Sequence, residues 1–123
     1  MSSTQSGKFG EGILLRQVAF ARSGDKGDTS NIIVIPYDEG NYDWLRQHLT
    51  VEVVGAMLNK VVRGSIIRYE FRGIRALNFV MQQALEGGVS RSLNLDPHGK
   101  SRANLLLGLR LQAEAPPAGL RAP

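Results

Sequence analysis

Between two apolar runs the chain carries Arg22-Ser23-Gly24-Asp25-Lys26-Gly27-Asp28-Thr29-Ser30-Asn31, which gathers four charges, three small hydroxyls and two glycines into ten residues. A connection between strands needs turn formers. It does not need two cations, two carboxylates and a carboxamide, so the surplus reads as a candidate site. Gly24 and Gly27 let backbone amides approach a ligand, while Arg22 and Lys26 hold an anionic group. Ser23 and Asn31 complete the set. Asp25 and Asp28 then orient the cations or act as acid and base, which makes them the candidate catalytic residues. The competing reading is that the loop satisfies itself: Arg22 pairs with Asp28, Asp25 caps a turn and Asn31 bonds backbone.

A second polar cluster, Gly87-Gly-Val-Ser90-Arg91-Ser92, follows a segment read as helical, and Arg91 could join Arg22 around one carboxylate or phosphate. Ser90 and Asn78 are further candidates for the same ligand. The alternative is that the paired glycines only end a helix.

Several chemistries are disfavoured. Lys26 lies between the two glycines and not after the second, so the loop is not a Walker-type phosphate loop. Gly24-Asp-Lys-Gly27 matches the Gly-x-x-Gly clamp of KH domains, but that clamp joins two helices and avoids acidic residues, so nucleic acid is not an expected partner. Two carboxylates and one Asn fall short of the six or more oxygens of a calcium site, and no metal or other cofactor is expected. The chain has no cysteine, which removes disulfides, thiolate metal sites and cysteine nucleophiles. His48 and His98 stand in no readable Ser-His-Asp grouping.

The 123 residues, 42% hydrophobic and 21% charged, fit one ordinary globular domain. No apolar run approaches a membrane span and the start lacks the order of a secretory signal, so a cytoplasmic protein without membrane contact is expected. The net charge is +4, but eleven of the fifteen basic residues are Arg spread along the chain. That distribution suits bidentate contact with a carboxylate or phosphate, or a solvated surface.

Residues 1–11 are polar and read as disordered, 12–111 as the domain, and 112–123 as a flexible Pro/Ala tail. Residues 13–20 read as a strand, and Ile32-Ile-Val-Ile-Pro36 as a second strand buried on both faces and ended by proline. Asn41 is the expected N-cap of a helix through Trp44, Leu45 and Leu49. Thr50 re-caps the chain for a second helix through Val53, Val54, Met57, Leu58 and Val61, stopped by Gly64. Residues 65–71 alternate as a strand with Ile67, Tyr69 and Phe71 on one side. Residues 76–85 read as a helix by period, with Phe79 pointing away from its apolar arc and requiring a separate cover. Residues 89–95 read as a fourth strand. The stretch 96–111 is either a helix from Lys100 to Leu107 or a hairpin strand through Leu107, Leu109 and Leu111. Helices thus collect on one face of a mixed, mostly antiparallel sheet, a two-layer α+β sandwich.

Four stretches, Ala21-Arg-Ser-Gly-Asp-Lys-Gly-Asp-Thr-Ser-Asn-Ile32, Tyr42-x-Trp44-Leu45, Ala76-Leu-Asn-Phe79 and Gly87-Gly-Val-Ser-Arg-Ser-Leu93, occur in the order found in a known family. Over about residues 14–109 the chain resembles the small domain at the C-terminal end of the acyclic-terpene-utilisation protein AtuA, which also occurs as a separate short chain. The resemblance implies a ferredoxin-like α+β fold and association with bacterial breakdown of acyclic terpenoids and branched acids through their coenzyme A esters. Two departures stand out: the large N-terminal portion of AtuA is missing, and Arg102 occupies a position expected to be apolar.

Two functional readings result. In one, the Arg22–Asn31 loop, with Asn78, Ser90 and Arg91, binds a carboxylate or acyl-CoA-type anion, with or without catalysis by Asp25 or Asp28. In the other, the chain is a non-catalytic module that forms homo-oligomers and docks onto a larger AtuA-like chain, with Phe79 in the contact.

Overall fold

β-branched residues dominate positions 32–35, and in the computed structural model they lie in an inner strand of a sheet. The structure describes residues 12–26, 29–58, 64–82 and 100–122. In chain order these form β1 (Ile13–Leu14), a 3-10 turn at Leu15–Gln17, β2 (Ala19–Lys26), β3 (Thr29–Pro36), a second 3-10 turn at Glu39–Asn41, α1 (Tyr42–His48), α2 (Val51–Leu58), β4 (Ile66–Phe71), β5 (Ala76–Gln82), α3 (Lys100–Leu107) and β6 (Arg110–Leu111). The main sheet runs β2-β3-β5-β4 and a small one pairs β1 with β6, antiparallel in every described pairing.

One face of the main sheet carries the core. Ile32 and Val34 of β3 stand beside Leu77, Phe79 and Met81 of β5, all fully buried, and they pack with Leu45, Leu49, Val54, Leu58, Ala103 and Leu106 of the helices. The helices therefore lie on a single face, as the apolar stripe of α2 requires. On β2 the inward residues Ala19, Ala21 and Ser23 are small, which lets α3 approach that strand closely.

Several expectations are corrected. The polar run is not a loop: Arg22 to Lys26 belong to β2 and Thr29 to Asn31 to β3, in register from Ala19↔Pro36 to Lys26↔Thr29. Backbone pairing satisfies a strand whatever its side chains, so polar outward positions do not prevent it. The strand read at 13–20 is broken by the 3-10 turn, where the Gln17 side chain accepts from Leu14 N at 3.0 Å. Residues 76–82 form a strand and not a helix, because Leu77, Phe79 and Met81 alternate inward while Asn78, Val80 and Gln82 face out. Phe79 is accordingly buried within its own subunit, at 0% exposure, and is unavailable to a partner. β3 is fully buried on its inward face only; Ile33 and Ile35 are half-buried.

Thr50 does re-cap the chain, accepting from Val53 N at 3.2 Å. Asn41 precedes α1 but its side chain does not cap it. Instead Asn41 Oδ1 accepts from Ala118 N at 2.7 Å and its Nδ2 donates to the Gly119 carbonyl at 3.1 Å. Trp44 Nε1 donates to the Glu114 carbonyl at 2.9 Å, Arg121 N donates to the Gln17 carbonyl at 2.8 Å, and the Arg121 guanidinium lies 3.8 Å over the Tyr37 ring. The segment 112–122 thus departs from the loose tail its composition suggests. It forms no helix, but side chains of the body satisfy its backbone groups. Residues 100–111 combine the two alternatives, a helix followed by a short strand. Arg102 on α3 is buried and has an interaction partner. The segments read as the end of the second helix, at 59–63, and as the strand at 89–95 lie outside the described residues.

Candidate functional site

The register of the sheet sorts the predicted site residues. Arg22 and Gly24 of β2, Asn31 of β3 and Asn78 of β5 all point to the face away from the helices. Ser23 faces the opposite way, into the core side. Asp25 and Lys26 are placed by their backbone alone, and Gly27, Asp28, Ser90 and Arg91 lie outside the described residues.

At the centre of the outward face Asn31 Nδ2 donates to Asn78 Oδ1 at 2.8 Å. Gly24 sits directly across from Asn31, and a Cβ there would stand 2.9 Å from Asn31 Oδ1. The glycine is therefore needed for close approach: it lets the Asn31 carboxamide lie over the β2 backbone. Arg22 is exposed on the same face. Neither of the cavities described below is lined by a residue of this hairpin. Among the described residues no group of three or more His, Asp or Glu side chains could hold a metal.

Around this amide pair the face is apolar. Ile33, Ile35 and Val80 are half-buried, and on β4 Ile67, Tyr69 and Phe71 are exposed at 41%, 47% and 39%. Alternation correctly puts the last three on one side, but it is the side without helices. The reason lies in what β4 presents inward. Arg68, across from Phe79, donates from Nη1 to the carbonyls of Arg46 at 2.6 Å and Leu49 at 2.9 Å, at the C-terminal end of α1. Its Nη2 donates to Glu70 Oε2 at 3.0 Å, and Arg72 reaches Glu70 Oε1 at 3.3 Å. A guanidinium that binds the last carbonyls of a helix must sit on the helix side, so Ile67, Tyr69 and Phe71, which alternate with Arg68, are forced outward while Ile66 packs inward beside Met81.

Glu70 titrates accordingly. Partial burial pushes its carboxyl up, but the Arg72 hydrogen bond and the charges of Arg68 and Arg46 outweigh this and hold it below the ordinary glutamate value. With a folded pKa below the unfolded one, its contribution is present above the unfolded value and is lost as pH falls through the folded one. Glu70→Gln is therefore expected to flatten the acid limb of a melting-temperature profile taken from pH 7 to pH 3. Parallel profiles for the two proteins would remove Glu70 from the acid response.

Other parts of the described residues form cavities. One of about 180 Å³ lies between the 118–121 segment and Gln17, Val18, Tyr37, Asp38 and Asn41. Another, of about 240 Å³, is lined by Tyr42, Asp43, Arg72 and Arg75. The second was missed in the sequence because its residues are some thirty positions apart; the one local signal was the doublet of arginines flanking Gly73-Ile74. His48 packs against Trp44 with ring centroids 4.9 Å apart.

No helix among the described residues is long and apolar enough to cross a membrane. Comparison with curated proteins and with solved structures gives no match. A family model, the AtuA ferredoxin-like domain, matches residues 13–112 and so spans the whole body described above, from β1 to the residue after β6. The α+β architecture and this match agree, and the chain belongs to the AtuA ferredoxin-like domain family.

Proposed function

We propose that this domain is a non-catalytic assembly module that associates with a second copy of itself through the outward face of its main sheet. The observation that carries this is the exposure of Ile67, Tyr69 and Phe71 on one face of β4, continuous with Ile33 and Val80. Contiguous exposed apolar surface on a soluble domain marks an interaction site. A patch with an apolar body and a single amide pair, Asn31 with Asn78, suits an isologous contact, in which the same surface is used twice. The amide pair keeps one carbonyl oxygen and its remaining N–H groups to fix the orientation of the two sheets. Family membership supports a place for this module in the breakdown of acyclic terpenoid or branched acyl-CoA compounds, where it would hold copies of the domain, or the larger AtuA chain, together.

Light scattering coupled to gel filtration at micromolar concentration tests the reading. The wild-type chain is expected to elute as a dimer or larger, and Ile67→Asp combined with Tyr69→Asp to give a monomer with a similar melting temperature, since both positions face solvent. A wild-type chain that stays monomeric at about 100 μM would end the self-association reading, because standard specific interfaces form well below that.

A second reading is favoured by Arg22. Its exposed guanidinium shares the face with Asn31 and Asn78, which is an arrangement for a carboxylate or acyl-CoA-type anion. Loss of such binding in Arg22→Ala, with assembly retained, would select it.

A further inference from the structure

β4 is an edge of the main sheet: among the described strands it pairs only with β5. Gln82 N donates to the Ser65 carbonyl at 3.0 Å, one residue before the strand begins, which fixes the phase of the ladder. Hydrogen-bonded and non-hydrogen-bonded positions alternate in an antiparallel pair. Ile67, Tyr69 and Phe71 therefore turn their backbone groups to β5, while Ile66, Arg68 and Glu70 turn theirs to the open edge. Those edge N–H and C=O groups have no backbone partner among the described residues, and every residue of β4 keeps some exposure. An edge of this kind is a template for another strand.

The residues of β4 select which strand. Opposed residues of an antiparallel pair share a face, so a two-fold axis relating two copies of β4 must pass through a residue position. An axis at Arg68 sets Arg68 against itself, and an axis at Glu70 sets Glu70 against itself and Arg68 against Arg72; like charges directly across a ladder oppose pairing. An axis at Ile67 runs Tyr69 and Glu70 past the start of the strand, against Ser65 and Gly64. An axis at Tyr69 instead sets Arg68 across from Glu70 of the second copy on the helix side, and Ile67 across from Phe71 on the outward side. Tyr69 then meets Tyr69 of the second copy at a non-hydrogen-bonded position, where side chains come closest.

We propose that β4 pairs antiparallel with β4 of a second copy about an axis through Tyr69, joining the two main sheets edge to edge. The charges select the register and do not hold the strands, since the Arg68 guanidinium is spent on the Arg46 and Leu49 carbonyls and on Glu70 of its own chain. Backbone bonds of Arg68 and Glu70 and the Ile67, Tyr69 and Phe71 contacts hold them. This contact goes beyond the stacking of outward faces proposed above and does not require it. It sets the two exposed patches side by side in one plane, as a wider apolar face for further copies.

Amide hydrogen exchange on the whole chain tests the pairing, with Ile67→Asp combined with Tyr69→Asp as the monomeric reference. The Arg68 and Glu70 amides are expected to exchange about tenfold more slowly in the wild type when roughly nine chains in ten are paired, since exchange follows the unpaired fraction. The Tyr69 amide, already bonded to β5, is the internal control. The chain has no cysteine, so Tyr69→Cys and Ile33→Cys each introduce one. On the proposed axis Tyr69→Cys brings two thiols within disulfide reach, with Cα atoms about 4.5 Å apart. Ile33 lies level with Tyr69 across β5, so Ile33→Cys leaves its thiols five strand spacings apart, about 24 Å, and no disulfide is expected. Association without protection of the Arg68 and Glu70 amides, or a disulfide through Ile33→Cys but not Tyr69→Cys, would overturn the edge pairing and leave the stacking of faces standing. Equal protection of both amides in the monomeric reference would show that the chain covers its own edge, and would also overturn it. A wild type that is monomeric at about 100 μM would end both.

Discussion

Phe79→Ala is expected to destabilise the domain by about 3–5 kcal/mol, the usual cost of removing a fully buried aromatic side chain. Phe79 has no exposed surface and lies on the inward face of β5, across from Ile32 on β3 and Arg68 on β4. Its ring is one of the largest fully buried side chains, in a strand paired on both edges. Backbone pairing on two sides limits how far the sheet can collapse into the space left, so the cavity term should be felt nearly in full. Against total stabilities of about 5–15 kcal/mol for domains of this size, much of the folded population would be at risk. Urea unfolding followed by tryptophan fluorescence measures this directly, since Trp44 belongs to the same core. A loss below about 1 kcal/mol would mean that Phe79 is not the centre of the packing.

Arg68→Ala should cost about 2–3 kcal/mol through three lost hydrogen bonds from one charged group. Its side chain is 18% exposed, so solvent screening is incomplete and the bonds to the Arg46 and Leu49 carbonyls matter most. These carbonyls end α1, where a cation also complements the helix dipole. Arg68→Lys should recover only part of the loss, since an ammonium cannot reproduce the planar fork that spans two carbonyls and a carboxylate at once. The loss should appear as faster amide hydrogen exchange in the last turn of α1 and as a lower urea midpoint. Unchanged exchange there would show that the carbonyls do not depend on the guanidinium.

Arg68 also links stability to the surface proposed for assembly. Because it occupies the helix side of β4 with Glu70, the residues that alternate with them, Ile67, Tyr69 and Phe71, have no choice of side. The outward apolar patch is then a consequence of where the helix end needs its cation. Substitutions at Ile67 and Tyr69 should therefore change association with little effect on folding, whereas Arg68 should do the reverse.

Much of the local structure was legible in the chain itself. The β-branched run at 32–35, the proline that ends it, the Thr50 cap and the apolar stripe of α2 each act within a few residues, and each holds in the fold. So does the α+β class, because it follows from the kinds of element and not from their exact limits. The motifs that resemble AtuA led to the family for the same reason, being short and ordered along the chain. Asn31 and Asn78 were picked out as polar residues of one site, and the sheet does bring them together at 2.8 Å.

What depended on the tertiary structure was the choice between periods and the side each strand turns to the helices. Leu77, Val80 and Met81 fit a helical arc that leaves Phe79 outside, and Leu77, Phe79 and Met81 fit one face of a strand that leaves Val80 outside; pairing with β3 and β4 decided for the strand. Arg22 to Lys26 read as a loop because their side chains are polar, yet strand formation rests on backbone partners supplied by β3. The 112–122 segment read as loose because it lacks periodicity, but Asn41, Gln17 and Trp44, some seventy to a hundred positions away, satisfy its backbone groups. The Tyr42, Arg72 and Arg75 cavity has the same origin. Composition and spacing determine what a segment can form by itself; contacts between distant residues decide which of those forms is kept and which groups come to face one another.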